Sequence, residues 1–300
     1  DGRIGMRSTL ISAWSSLISI GSGASIGREG SITQLTAAFA SKWGQTHEWQ
    51  PYRLRLMVAC GAAAGLAAAY NAPIAGALFA ALVLVGNFSM NLFAPLVMSS
   101  VVATMVSRFW FGIDPWYVLP ESMNFDQATN FTSMLWFLIL GITSGASGAF
   151  FLKSIQKMET ISAKSPWPLW SKLGLAGLVV GIVALIFPGV WGNGYGITNE
   201  ILQANSDEKD FSGLLNGSIL SELNIWKIPI LLLAGLLIAK FVTTVVAVGA
   251  GTVGGVFTPT LFLGAGLGAA FGKPNGRCDR FGGRDFPEKC PSSQLVLTRQ

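Results

Sequence analysis

Charge is what this sequence has least of. Its 300 residues hold 20 Lys and Arg and 15 Asp and Glu, 12% of the chain, about half the roughly 25% of a soluble domain. An ordinary cytosolic globule needs a charged surface, and a disordered chain combines high charge with few apolar residues. Both are excluded. Histidine occurs once and cysteine three times. With no CxxC pair and no Cys/His cluster, nothing suggests a metal or redox centre, and a secreted disulfide scaffold is excluded as well. Cys60 reads as a small packing residue of an apolar helix, and no cofactor is expected. No secretory signal peptide is visible. The chain opens on Asp1 rather than Met, so the natural N-terminus is expected upstream. The net charge is +5, but residues 273–300 carry six basic and three acidic side chains and so most of that excess. A nucleic-acid partner is not expected from so local a feature.

What is present is apolar and rich in glycine: 51% hydrophobic residues and 36 Gly, with a mean hydropathy of +0.53. Residues 56–107, 127–152, 173–199 and 241–272 contain no Asp, Glu, Lys or Arg. A helix crossing a bilayer needs about 20 predominantly apolar residues, and a soluble protein has no reason to keep such stretches free of charge. The chain is therefore read as an all-α, multi-pass membrane protein. The apolar runs predict spans near Phe93–Trp110, Met134–Gln156, Leu173–Phe187 and Ile228–Val248. They also predict shorter helices near Ser8–Ile20, Ile32–Lys42, Leu54–Ala69, Ile74–Val85 and Thr260–Gly272. Loop charges place 153–172 in the cytoplasm and 111–133 and 199–227 outside. The basic residues Lys42, Arg53 and Arg55 conflict with the outside placement that counting spans assigns to 42–55.

Two Gly-rich breaks, at Gly21–Ser31 and Gly249–Pro259, have one form: an apolar helix, a bend, then a fresh short helix. Interrupted helices in corresponding parts of two halves mark an internal repeat around a midplane site. A helix N-terminus exposes backbone N–H groups and about half a positive charge, and in a bilayer those groups need a partner. Gly27–Ser31 and Gly254–Pro259 thus both read as anion sites built of backbone amides, with Gly27, Gly254 and Gly255 permitting close approach and Pro259 suited to a helix start. Arg28 and Glu29 are the unusual pair, since charge within a membrane segment is rare and functional by default. A salt bridge pinning two helices is the structural alternative. As a functional group, the Glu29 carboxylate occupies the place an anion would take. It leaves that place when protonated or swung aside, which makes it a gate.

Gly27-Arg28-Glu29-Gly30-Ser31 resembles the GREGP signature of the CLC family of chloride channels and proton/chloride transporters, with Ser31 in place of the proline. Gly255-Val256-Phe257-Thr258-Pro259 resembles its GxFxP signature, and residues 61–79 (GAAAGLAAAYNAPIAGALF) are also typical of it. The three occur in family order, over about residues 1–272, with a bacterial flavour. The resemblance implies an inverted-repeat membrane fold with broken and re-entrant helices. It implies chloride movement rather than enzyme catalysis, Glu29 as the outer gating residue, and a homodimer. It also implies anion contacts from the amides of Arg28, Glu29, Gly30, Val256, Phe257 and Thr258.

The departures carry information too. The family's first, serine-bearing anion motif is expected upstream of Asp1, and its central-site tyrosine beyond residue 272. The chain is therefore expected to be a partial membrane domain over 1–272, incomplete at both ends, followed by a polar tail at 273–300, cut short or out of frame and not native to the fold. The inner proton-relaying glutamate of family transporters falls by register at Leu82 or Val83, and residues 56–107 hold no acid at all. Passive, gated chloride movement is thus the expected function. A proton/chloride antiporter using another proton path and a non-conducting truncated product are the alternatives.

Two motifs are set aside. Gly23-Ala24-Ser25-Ile26-Gly27 matches GxSxG, which requires a preceding strand and a His base; the flanks are membrane helix and His47 lies in a polar loop. Gly192-Asn193-Gly194-Tyr195-Gly196 faintly resembles a potassium-channel filter but has no paired pore helix. The small-residue spacings Gly61/Gly65, Gly141/Gly145 and Gly264/Gly268/Gly272 predict close helix packing. Lys240, within a span, is expected either to snorkel to the cytoplasmic edge or to attract anions to the inner vestibule.

Overall fold

The structure, a computed structural model, describes residues 2–86, 90–113, 117, 131–203 and 229–272. The tail at 273–300 and most of the two loops expected outside fall beyond these. The described residues form α1 (Met6–Gly21), α2 (Glu29–Thr46), α3 (Pro51–Tyr70), α4 (Pro73–Phe79), α5 (Met90–Phe111), α6 (Phe131–Lys164), α7 (Leu169–Ile186), α8 (Tyr195–Gln203), α9 (Pro229–Gly249) and α10 (Phe257–Gly272). A π-helical turn at Ala80–Val85 continues α4, and a 3-10 turn at Pro188–Val190 follows α7. No strand occurs among the described residues; the extended backbone they contain pairs as one isolated antiparallel bridge, Gly27 with Gly255.

Local chemistry sets the breaks. Pro51 and Pro73 sit in the first turns of α3 and α4, where a missing N–H costs nothing. Between them Asn71 caps α3 in the left-handed region (φ 57°), a conformation Asn tolerates better than most residues. The predicted elements are all present, with bounds shifted by up to four residues where charge-free runs say little about ends, and by eight at the C-terminus of α6. The pattern reading missed α8, which follows a Gly-rich stretch and has only nine residues, about two and a half helical turns.

Among the described residues four helices are long and apolar enough to cross a membrane: Asn91–Phe111, Met134–Lys164, Leu169–Ile186 and Leu232–Gly249. The first three bury 17%, 6% and 11% of their most apolar window, whereas the fourth buries 56%. α5, α6 and α7 therefore turn most of their apolar side chains outward, as lipid-facing helices do, and α9 is the central one. It packs against α6, α7 and α10, with Leu232, Leu233 and Leu236 joining Val190, Ile201 and Phe262 in one apolar cluster. A second cluster, Ala59, Ala63, Ala77, Ala80, Ala81 and Leu96, holds α3, α4 and α5 together.

Small residues govern the α2–α3 and α3–α4 crossings. A Cβ on Gly61 would lie 2.7 Å from the Thr36 carbonyl oxygen, and one on Gly76 2.8 Å from both the Ala63 oxygen and the Ala67 Cβ. Gly61 and Gly65 do pack closely, against α2. Gly141, Gly145, Gly264 and Gly268 meet nothing within 4 Å among the described residues, contrary to the spacing prediction. On α10 the glycine in close contact is Gly266, against Leu237.

The two Gly-rich breaks superpose in number as well as in form. Each residue of the second lies 228 positions after its counterpart: α1 ends at Gly21 and α9 at Gly249, and α2 begins at Glu29 and α10 at Phe257. Gly23 and Gly251 both hold φ in the left-handed region, at 98° and 96°. The turn bonds repeat too. Ser22 N donates to Ile18 O (2.9 Å) as Ala250 N does to Val246 O (3.0 Å). Gly23 N donates to Ile20 O (3.0 Å) as Gly251 N does to Val248 O (2.9 Å). Of the eleven paired positions only Gly21/Gly249, Gly23/Gly251 and Gly27/Gly255 are identical. The glycines are what the shared backbone path needs.

Candidate functional site

The two breaks meet. Gly27 N donates to Gly255 O at 2.6 Å and Gly255 N to Gly27 O at 2.7 Å, so the chains cross antiparallel, as inverted repeats must. Two residues beyond each glycine a helix starts, and the N-termini of α2 and α10 converge on the bridge. The first intrahelical bonds of these helices are Ile32 N to Arg28 O (3.2 Å) and Thr260 N to Val256 O (3.0 Å). The backbone N–H groups of Arg28, Glu29, Gly30, Val256, Phe257 and Thr258 all precede those bonds, in the turn where a helix has no internal acceptor to offer.

Glu29 lies in this junction with 3% of its surface exposed. Its Oε1 accepts hydrogen bonds from the Tyr195 hydroxyl at 2.9 Å and from Thr258 Oγ1. With the Thr258 proton on Glu29, the Tyr70 hydroxyl, 3.3 Å from Thr258 Oγ1, is the donor of that third bond. Oε2 is buried and makes no hydrogen bond among the described residues. It faces Gly27, where a Cβ would overlap it, and a Cβ on Gly255 would lie 3.2 Å away. The two signature glycines are therefore the room in which the carboxylate sits.

Aromatic side chains close the site. The Arg28 guanidinium stands 5.4 Å over the Tyr195 ring. Tyr195 also meets the Tyr117 ring (5.6 Å), and Tyr70 packs edge-on against Phe257 (5.3 Å). Burial is the main cause pushing the Tyr195 and Tyr117 phenols up; both stay protonated and keep their capacity to donate.

The site thus combines the expected backbone groups with side chains that sequence reasoning did not assign to it: the hydroxyls of Thr258, Tyr195 and Tyr70. Thr258 was identified for its amide alone. Tyr195 belongs to the Gly192–Gly196 stretch set aside as a filter look-alike, and its side chain, not a row of carbonyls, is what that stretch delivers. Ser25 of the GxSxG match is fully buried and shares a hydrogen bond with Thr244 Oγ1 at 3.2 Å, tying the first bend to α9. It is a packing hydroxyl. Lys240 neither snorkels nor faces a vestibule: it is 0% exposed, with its amine on backbone carbonyls. Among the described residues no group of three or more His, Cys, Asp or Glu is placed to hold a metal ion.

Helix N-termini brought together around one buried charged group are a recurrent arrangement of helical membrane proteins built from two related halves. Residues 1–276 match the profile of the voltage gated chloride channel family, and the chain belongs to that family, the CLC family. A ClcB-like chloride channel protein of Ralstonia nicotianae is 38% identical over 276 residues, 91% of this chain and 58% of that one. A protein of Escherichia coli named voltage-gated ClC-type chloride channel ClcB is 33% identical over 285 residues, 92% of this chain and 60% of its own length. The chain therefore spans about three fifths of these relatives. Among solved structures, a slow cyanobacterial Cl−/H+ antiporter matches with a TM-score of 0.67 at 25% identity, over 84% of this chain and 54% of that one. A CLC-type fluoride/proton antiporter shares the fold, with a TM-score of 0.66 at 24% identity over 91% and 64%.

Proposed function

We propose that this chain moves chloride across the membrane, that the anion binds at the junction of the α2 and α10 N-termini, and that Glu29 gates the path by competing for that place. The observation carrying this reading is the buried Glu29 carboxylate held between two helix starts by hydroxyl donors. Each helix N-terminus presents about half a positive charge. A carboxylate oxygen and a halide ion are alike in what they require there: negative charge and hydrogen-bond donors. When Glu29 is neutral or turned away, an anion in its place inherits the Thr258 and Tyr195 hydroxyls together with the amides at residues 28–30 and 256–258. Membership of the family and the names of the curated relatives support chloride as the anion.

Passive movement is the reading we favour over exchange. Leu82 and Val83, where the resemblance places the inner proton relay, are apolar and exposed members of the π-helical turn. A specific observation also favours the antiporter reading. Thr258, Tyr195 and Tyr70 form a hydroxyl cluster contiguous with Glu29, and the cyanobacterial structural relative is a Cl−/H+ antiporter. As in the family, a homodimer with one pathway per chain is proposed, with residues 1–272 as the membrane part.

Chloride efflux from lipid vesicles containing the chain, recorded with a pH electrode in the same cell, tests the proposal. Efflux without proton movement supports a passive path, and counter-movement of protons at a fixed ratio supports exchange. Absence of efflux above empty vesicles counts against a conducting role for this chain.

A further inference from the structure

α9 is the most buried of the four span-length helices, yet it carries a lysine near its middle. Lys240 is fully buried. Its amine donates to the carbonyls of Val190 at 3.1 Å and Gly192 at 2.8 Å, and it lies 5.5 Å over the Phe262 ring. The repeat does not require a cation here: the residue 228 positions earlier, Ser12 in α1, is uncharged. Lys240 therefore answers a need particular to this half of the molecule.

The need is visible in what it holds. Residues 187–194 leave α7 through a 3-10 turn and reach α8 by irregular backbone, and buried carbonyls of irregular backbone require donors. The same segment leans on the first bend. Gly192 N approaches Gly23 O at 3.4 Å, and the Trp191 ring covers Gly23 so closely that a Cβ there would fall 2.6 Å from its Cε2. Three residues after Gly192 comes Tyr195, whose hydroxyl donates to Glu29. A short connection thus runs from the Lys240 amine through two carbonyls to the phenol on the carboxylate.

We infer that Lys240 is a positioning residue for Glu29: by holding the Val190 and Gly192 carbonyls it sets the 190–194 segment so that the Tyr195 hydroxyl meets the Glu29 carboxylate. The structural claim stands on these contacts alone. Its consequence for transport rests on the reading of Glu29 as a gate.

The chain has four tyrosines, so 3-fluorotyrosine labelling of the detergent-solubilised protein yields four 19F resonances, with Tyr195 assigned by its loss in Y195F. E29Q is expected to move the Tyr195 line in the wild-type background. In K240M that response is expected to vanish while the Tyr52 line stays in place, and K240R, which restores long-chain donors, is expected to recover it. A monodisperse K240M protein whose Tyr195 line still responds to E29Q as in wild type overturns the inference, and so does a wild-type Tyr195 line that ignores E29Q. Should K240M not fold, K240Q is read by the same criterion, since its shorter amide cannot span both carbonyls.

Flux supplies the second readout. Around Glu29 the titratable and charged groups among the described residues are Arg28, Tyr195, Tyr117 and Tyr70. K240M and Y195F are each expected to raise the pH of half-maximal chloride efflux by about one unit, a tenfold change, and the double variant no further. A purely structural lysine lowers yield or overall rate without moving that pH, and the double variant is then additive; either result rejects the positioning role. An E29Q protein with an unaltered pH profile sinks the gate reading instead, and leaves the resonance experiment to decide on Lys240.

Discussion

Removing the donors to Glu29 one at a time tests the gate most directly. Tyr195→Phe and Thr258→Val are close to isosteric and take away little but a hydroxyl, so the helix junction is expected to survive them. Each hydroxyl donates to Oε1 of a carboxylate that is only 3% exposed, where water cannot readily replace a lost partner. A hydrogen bond to a charged group contributes about 1.5–3 kcal/mol. Because both donors converge on one oxygen, the survivor tightens when the other is lost, and the lower end of that range applies to either single change. About 1.4 kcal/mol is one pH unit. The sign follows from which form the donors favour. A hydroxyl pointing at an ionised oxygen stabilises the ionised carboxylate, so its removal lets protons take the carboxylate at lower proton concentration. Flux that requires a neutral or displaced Glu29 then begins at higher pH. Half-maximal chloride efflux is expected to move up by about one unit in Y195F or T258V, and by more than the sum in the double variant, which leaves no surviving donor to tighten. The assay is efflux from vesicles at a series of pH values with an ionophore clamping the voltage. The same hydroxyls are lost to the anion, so the apparent chloride affinity measured in an E29Q background is expected to fall alongside. Profiles that coincide with wild type in Y195F and T258V, in a preparation whose profile E29Q does alter, would refute the reasoning: the gate would then be held by something other than these hydroxyls.

Three further outcomes follow from the same geometry. Glu29→Gln places a neutral isostere at the junction, so chloride efflux is expected to lose most of its pH dependence; a profile unchanged in a conducting preparation removes Glu29 from the gate. Gly76→Ala drives a methyl against the Ala63 carbonyl and Ala67 at the α3–α4 crossing. It is expected to destabilise the protein by about 1–3 kcal/mol, read as a lower midpoint of thermal unfolding in detergent, whereas Gly141→Ala meets no described neighbour and is expected to be neutral or to stabilise by up to about 1 kcal/mol. Ser25→Ala breaks the buried pair with Thr244 and is expected to cost about 1 kcal/mol. It should leave labelling by a fluorophosphonate probe at background, as in wild type; labelling of wild type that S25A abolishes would reopen the hydrolase motif.

The helices were legible because membrane insertion imposes a coarse and redundant pattern. Long stretches without charge identify α5, α6, α7 and α9 whatever their detailed packing, and Gly- and Pro-rich punctuation identifies the breaks. Helix α8 was not legible: it is amphipathic, but nine residues after a Gly-rich stretch are too few for the pattern to stand out in the sequence. The glycine spacings misled for a related reason. Gly141/Gly145 and Gly61/Gly65 are the same pattern on paper, and among the described residues only the second pair has a helix across from it. Lys240 misled because a lone cation in an apolar span is normally accommodated by reaching for water, whereas here irregular backbone nearby supplied two carbonyls.

The sequence by itself determined that this is a membrane protein of helices, that it carries two matching breaks, and that one of them holds a carboxylate beside helix amides. Those features are local: charge-free length, glycine where backbone must bend, an acid in a first turn. What the tertiary structure decided is how the breaks relate and what surrounds the acid. The reciprocal bonds between Gly27 and Gly255 join residues 228 positions apart. The hydroxyls on Glu29 come from α8 and α10, and the amine that braces the α8 approach comes from α9. Hydrogen bonds act over about 3 Å of space and are indifferent to distance along the chain. Partners contributed by remote, irregular or very short segments therefore leave no periodic trace, and only the folded arrangement brings them onto one oxygen atom.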